Sequence, residues 1–386
     1  MSRSTGSSGY VYTLTDEGFQ IVNGKRSFNR PLYGTHARDV DSIDDSVLVV
    51  AGDLPQVMSI LLHAQQGAKG GFLSLGVISS EGSKWLHQCE RMVTTYDPGW
   101  MRYVLKDPIF GEGEMRLYVV PLVDTEGFMV RIRSEAMDGP FRLVWTYGGL
   151  SAFGPRGSHL DYGCLEGGGL DLKDYAGNVF EVEDVLFRLS APEKNPGKVF
   201  QGACGFEGDY RIADARMLLR DPEQLAASIG DAYPVGAHIS QVHGASFEGY
   251  IVVQREVGCD PRTAELLVHP DQTFDECVKH YKGIARQVTV ETPDRYLNKG
   301  MEALCLAMDA GWHHPTFMHG AWSWHEPYLG WRGWYGARSW GNTIGCARLF
   351  GLMLPPRSRS RKRFSRPGKD RTGIPPAWTA REGCPP

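Results

Sequence analysis

The 386-residue sequence has no C-x-x-C pair, and its eight cysteines stand far apart, at 89, 164, 204, 259, 277, 305, 346 and 384. This spacing argues against a zinc site and against a small disulfide framework, so we expect buried free thiols. The N-terminus MSRSTGSSGYVYTL has no apolar leader run, and no later segment is long enough to span a bilayer. We therefore expect a cytoplasmic protein as the sequence is written, with no membrane partner; an N-terminus cut short would allow secretion or a periplasmic location.

Acidic residues outnumber basic residues in most of the chain. The formal net charge is −4, but residues 346–386 carry ten Lys or Arg and two acidic residues, which leaves −12 for residues 1–345. An acidic body repels phosphate, so we do not expect nucleic acid as the partner of residues 1–345.

Short β-type runs dominate residues 10–270 and are bounded by Gly, Pro, Asp or Asn. No long helical period separates them, so the pattern favours a large antiparallel β-sandwich over βαβ units. The turn signals Asn23-Gly24 and Asp138-Gly139 fit this fold. The runs are VLVVA at 47, VMSILLHA at 57, MRYVL at 101, MRLYVVPLV at 115, FMVRIRS at 128, FRLVWTY at 141, VFEVEDVLFRL at 179, GYIVVQRE at 249 and AELLVH at 264.

The hydrophobic period changes from 2 to 3.6 after residue 270. A short helix is already predicted at 222–229, where Asp221 can cap and Pro222 fits the first position. A linker helix is predicted at about 274–287, within a linker of residues 271–291. A capping box formed by Thr273 and Glu276 would mark its N-terminus. A second helix is predicted at about 293–310, with Thr292 as its cap. Its apolar stripe needs partners, so we expect it to open a helical domain over residues 292–345.

Six of the ten tryptophans lie between Trp312 and Trp340. Indole faces stack on the C–H faces of sugars, and the interleaved charged groups can hydrogen-bond hydroxyls, so this segment is a candidate sugar-binding site. A dense aromatic cluster can equally be a packed core. The nearby histidines 313, 314, 319 and 325 lack metal-ligand spacing, so we predict no metal site and no cofactor.

Residues 346–386 contain seven prolines beside their basic residues, and no apolar period continues into them. Such a composition predicts disorder. The segment is interpretable as an arm that binds RNA or a membrane surface, as a solvated tail, or as sequence read out of frame; we favour the third interpretation. It predicts that another reading frame after codon 345 resumes amphipathic helices for roughly 300 residues, enough for a helical barrel.

Several linear motifs resemble a family of bacterial proteins of unknown function in the six-hairpin glycosidase superfamily. They are NRPLYGTH at 29–36, AGDLPQ at 51–56, TPDRYLN at 292–298 and FMHGAWSWHEPYLGWRGWYG at 317–336. The resemblance implies a β-super-sandwich joined to an (α/α)6 barrel, here incomplete and cut after its first hairpin. It also implies a carbohydrate-active enzyme of glycoside hydrolase type, with an oligosaccharide or polysaccharide substrate.

Carried over to this chain, the resemblance places the Trp-rich segment in the sugar-binding cleft. Trp324, Trp331 and Trp334 would stack on sugar rings, while Glu326 and Arg332 would bond hydroxyls. Glycoside hydrolysis needs two carboxyl groups, which in relatives come from later hairpins, so no catalytic residue is predicted and the chain is expected to be inactive. Two further functions stay open, a noncatalytic carbohydrate-binding or structural sandwich and nucleic-acid binding through the basic tail.

Overall fold

The computed structural model of the chain describes residues 3–4, 11–24, 30–31, 46–55, 58–63, 68–123, 125–152, 171–257, 262–310, 312–313 and 316–317. The strands in these ranges are β1 (Arg3–Ser4), β2 (Val11–Thr15), β3 (Gly18–Val22), β4 (Arg30–Pro31), β5 (Ser46–Ala51), β6 (Met58–His63), β7 (Ala68–Ser79), β8 (Gly82–Trp85), β9 (Arg91–Asp97), β10 (Trp100–Lys106), β11 (Glu114–Pro121), β12 (Gly127–Glu135), β13 (Phe141–Leu150), β14 (Val179–Val182), β15 (Leu186–Ser190), β16 (Val199–Cys204), β17 (Gly208–Asp214), β18 (Pro234–Ser240), β19 (Phe247–Arg255), β20 (Trp312–His313) and β21 (Thr316–Phe317). The helices are α1 (Leu172–Tyr175), α2 (Pro222–Ala226), α3 (Thr263–Leu266), α4 (Pro270–Ala285) and α5 (Arg295–Ala310).

Two large antiparallel sheets contain most of these strands. One has eleven strands in the order β1-β2-β3-β9-β10-β11-β12-β19-β16-β15-β14, and the other has eight, β17-β18-β13-β7-β6-β5-β4 with β8 beside β7. Leu117 and Ile132 of the first sheet and Val77 and Leu143 of the second are fully buried in one shared core. The prediction of a mainly β fold with large antiparallel sheets is therefore confirmed.

The outer face of the eleven-stranded sheet is covered as well. In β12, Val130 faces the core between the sheets, whereas its neighbour Met129 belongs to a separate cluster with α4. Strands buried on both faces carry apolar residues at consecutive positions, which explains uninterrupted runs such as FMV at 128.

Helix α4 packs on this outer face as its sequence predicts. Phe274, Cys277, Tyr281 and Ile284 fall at helical spacing, and all four are buried. Each large side chain buried in this way contributes about 1.5 to 3 kcal/mol. The Tyr281 hydroxyl also donates to the Leu122 carbonyl at 2.9 Å, which fixes the helix to the strand end.

The predicted helix starts are wrong by a few residues. Helix α4 begins at Pro270, so Thr273 lies inside its first turn, where its hydroxyl donates to the Leu266 carbonyl instead of capping. Helix α5 begins at Arg295, and its cap is Asp294, which accepts a hydrogen bond from the Tyr296 amide at 2.9 Å. Pro270 stands at the first position of α4, whereas Pro293 precedes the cap of α5, so a proline marks a helix start only to within a turn.

Two strand predictions also need correction. The run AELLVH at 264 forms the short helix α3 at Thr263–Leu266, because a short apolar run carries too few residues to distinguish the two periods. The run at 179–189 is a hairpin of two strands, closed by the Glu183 amide donating to the Leu186 carbonyl at 2.8 Å.

Candidate functional site

A polar cavity of about 380 Å³ lies where the eleven-stranded sheet meets helices α4 and α5. The turn between β2 and β3 and the turn between β9 and β10 form one side, and the two helices form the other. Its lining residues are Asp16, Glu17, Asp97, Pro98, Trp100, Arg102, Lys282, Ala285, Arg286, Lys299 and Glu302.

The β9–β10 turn packs closely against α4, and this contact places its side chains at the cavity. Asp97 and Trp100 pair across the turn, with Pro98 and Gly99 between them. Gly99 has a φ of 105°, and a Cβ at this position would lie 2.7 Å from the Tyr281 Cβ. Only glycine satisfies both the backbone conformation and this close approach.

Contacts on several sides hold the indole of Trp100 in place. Its Nε1 donates to Asp97 Oδ2 at 2.8 Å, and its ring stacks on Tyr118 with centroids 5.9 Å apart. The Arg102 guanidinium and the Lys282 ammonium lie 5.4 Å and 5.2 Å from the ring, at cation–π distance. The indole is therefore fixed by its neighbours, and charged groups beside it line the cavity.

Lys299 of α5 joins the two sides of the cavity. Its Nζ donates to Asp97 Oδ1 at 3.0 Å and to Glu302 Oε2 at 2.7 Å. Burial lowers the pKa of Lys299, but its hydrogen bond to Glu302 and the charge of Asp97 outweigh that effect and raise the pKa above its ordinary value. The ammonium is thus a stable positive link between sheet and helix.

The remaining acidic residues of the cavity are also ion-paired. Glu17 accepts from Arg102 at 2.9 Å, and Asp16 accepts from Arg295 of α5 at 2.5 Å. Lys282 and Arg286, in contrast, have no carboxylate partner among the residues that the structure describes. They lie four residues apart at the end of α4, and therefore on one face of it.

The sugar-binding residues expected from the sequence, Trp324, Glu326, Trp331, Arg332 and Trp334, lie outside the described residues, so their role stays a prediction. Sequence reasoning did not identify the cavity. Its one local signal is Pro98-Gly99, which marks a turn between two apolar-polar runs.

Among the residues that the structure describes, no group of three or more His, Cys, Asp or Glu side chains is arranged to hold a metal ion. The same residues form no helix with the length and apolar character needed to cross a bilayer.

The family model for a domain of unknown function, DUF4450, matches residues 67–183. This range includes the β9–β10 turn but neither α4 nor α5. No curated protein sequence matches the chain.

Among solved structures, the chain is similar to a bacterial glucoamylase complexed with acarbose, with a TM-score of 0.52 and 9% sequence identity over 85% of this chain and 50% of that one. The chain thus spans about half the length of the glucoamylase. A family GH92 alpha-mannosidase from Bacteroides thetaiotaomicron has a TM-score of 0.38 and 13% identity, over 78% of this chain and 39% of that one. At this level of identity, the likeness to the glucoamylase shows a shared fold over the matched residues.

Proposed function

We propose that this protein is a carbohydrate-active, glycosidase-like protein and that the cavity between the sheet and helices α4 and α5 contacts a saccharide. The observation that carries the proposal is the lining of the cavity, which combines carboxylates, ammonium and guanidinium groups with an ordered indole. Sugar hydroxyls both donate and accept hydrogen bonds, so they fit a wall that offers both kinds of partner. The volume lies within the range of small-molecule sites.

The described residues support binding rather than hydrolysis. Asp97 and Glu302 accept from the same Lys299 ammonium, so their nearest oxygens are no farther apart than the sum of those two hydrogen-bond lengths. Such a separation suits a glycosidase pair, but one member would have to carry a proton to give to the leaving group. Both carboxylates instead bind the Lys299 ammonium, which occupies one oxygen of each. We therefore propose that the chain binds saccharide without cleaving it.

The exposed face of α5 supports a finer proposal. Leu297 and Leu304 are 62% and 57% exposed and lie on one side of the helix, seven residues apart. Apolar side chains in a helical row usually pack against another helix. We propose that α5 is the first helix of an (α/α)6 barrel, with Trp324, Trp331, Trp334, Glu326 and Arg332 in its sugar-binding cleft.

Titration calorimetry of the 386-residue chain with neutral oligosaccharides tests the proposal. Glu302→Gln in the cavity should weaken binding, whereas Glu276→Gln on the exposed face of α4 should not. Trp331→Ala and Arg332→Ala test the predicted cleft in the same assay. Equal binding by all variants would remove both sites from the proposal, and release of reducing sugar by the purified chain would contradict the absence of hydrolysis.

A further inference from the structure

The cavity has an uneven distribution of charge. Its carboxylates, at Asp16, Glu17, Asp97 and Glu302, all accept from cations at 2.5 to 3.0 Å. The two cations of α4 that line the same cavity have no carboxylate partner in the described part of the chain. The α4 part of the cavity therefore has positive charge available, while the carboxylates of the two turns and of α5 are already neutralised.

Helical spacing places these two cations at the same end of α4. Lys282 is half-buried, with its ammonium 5.2 Å from the Trp100 ring, and the exposed Arg286 caps the C-terminus of the helix one turn later. Like charges four residues apart on a helix repel each other, and an anion between them removes that repulsion. The dipole of α4 also favours cations at its C-terminus. This effect is the same for any cation of the last turn, so it does not explain why Lys282 and Arg286 line a cavity.

We infer that the cavity binds an acidic saccharide, with a uronate carboxylate placed between Lys282 and Arg286. This inference rests on the proposed function, since it specifies the class of sugar at the same site. Arginine binds a carboxylate through two parallel N–H donors, and the Lys282 ammonium supplies a third. The hydroxyls of the same sugar ring would then meet the wall formed by Asp97, Lys299 and Glu302.

The test compares trigalacturonate with its fully methyl-esterified form, which keeps the same sugar rings and linkages but carries a methyl group in place of each negative charge. Calorimetric titration of the 386-residue chain should show affinity for the acid about tenfold above that for the ester. Lys282→Gln and Arg286→Gln should each remove most of this difference. Lys279→Gln is the matched control, because Lys279 is an exposed residue of the same helix outside the cavity lining. The preference should also shrink as salt is added.

The outcomes separate the two proposals. Equal affinity for acid and ester would overturn the acidic-sugar inference and leave carbohydrate binding in place. Binding of neither oligomer would overturn both. A preference for the acid that survives in both Lys282→Gln and Arg286→Gln would place the carboxylate elsewhere, and inorganic phosphate that competes as well as trigalacturonate would identify a site for free anions instead of sugars.

Discussion

The buried histidine of β18 should make the stability of the sandwich depend on pH. His238 is fully buried, with its ring centroid 4.6 Å from that of Tyr210 and 5.3 Å from that of Phe206. Neither ring nitrogen has a hydrogen-bond partner in the described part of the protein. Burial in this aromatic setting lowers the pKa of His238 from 6.5 to about 4, because a charged imidazolium would lose its hydration there.

The direction of the effect follows from proton uptake. Between pH 6.5 and about pH 4 the unfolded chain binds a proton at this histidine that the folded chain does not bind. The stabilisation is therefore complete above pH 6.5 and is lost as the pH falls toward 4. One pKa unit corresponds to about 1.4 kcal/mol, so His238 alone should remove about 2 kcal/mol from the free energy of unfolding between pH 6.5 and pH 5.

Replacing His238 with asparagine removes the titrating group. Burial likewise lowers the pKa of His87, to about 4, and that of His243, so the wild-type protein should lose more than His238 contributes. His238→Asn should lose about 2 kcal/mol less than wild type between pH 6.5 and pH 5, whatever its stability at neutral pH. Urea unfolding followed by tryptophan fluorescence at several pH values measures this difference.

A control distinguishes this titration from general acid effects. His269 is exposed, so His269→Gln should follow the wild-type curve. If His238→Asn also loses as much stability as wild type between pH 6.5 and pH 5, the reasoning from burial is refuted.

Three further changes test how α4 and α5 are fixed to the sheet. Tyr281→Phe leaves the buried Leu122 carbonyl without its donor and should lower the free energy of unfolding by roughly 1 to 2 kcal/mol in urea titrations; an unchanged midpoint would contradict this. Gly99→Ala places a methyl group against Tyr281 at a φ of 105° and should cost roughly 1 to 3 kcal/mol in the same assay, whereas Gly139→Ala, with open space around it, controls for the backbone strain alone. Lys299→Met leaves Asp97 and Glu302 facing each other without their shared cation, so amide hydrogen exchange in α5 should accelerate; equal exchange rates would show that the ion pairs do not hold the helix.

Local sequence signals determined the class of the fold and several of its elements. The change of period after residue 270 predicted α4, whose buried residues Phe274, Cys277 and Tyr281 are those of the apolar stripe. Asp221 caps α2 as predicted, accepting from the Gln224 amide at 2.9 Å, although the helix ends earlier than expected. These features depend on neighbours within a few residues, which the sequence displays directly.

Other elements depended on tertiary contacts. The longest strand, β7, was not predicted, because its glycines and serines have low strand propensity, yet pairing with β6 and β13 keeps it extended. The order of the strands in the two sheets likewise has no local signal. It places β12 beside β19, more than a hundred residues away in the sequence.

The candidate site was decided by the tertiary structure alone. Glu17, Trp100, Lys282 and Lys299 come from two turns and two helices far apart in the sequence, and each has an ordinary local context. Strand pairing brings the two turns together at one end of the sheet, and burial of the apolar face of α4 against that sheet brings the helices to them. Periodicity reports which face of an element is buried but not what it is buried against, so it could predict the helix but not the cavity beside it.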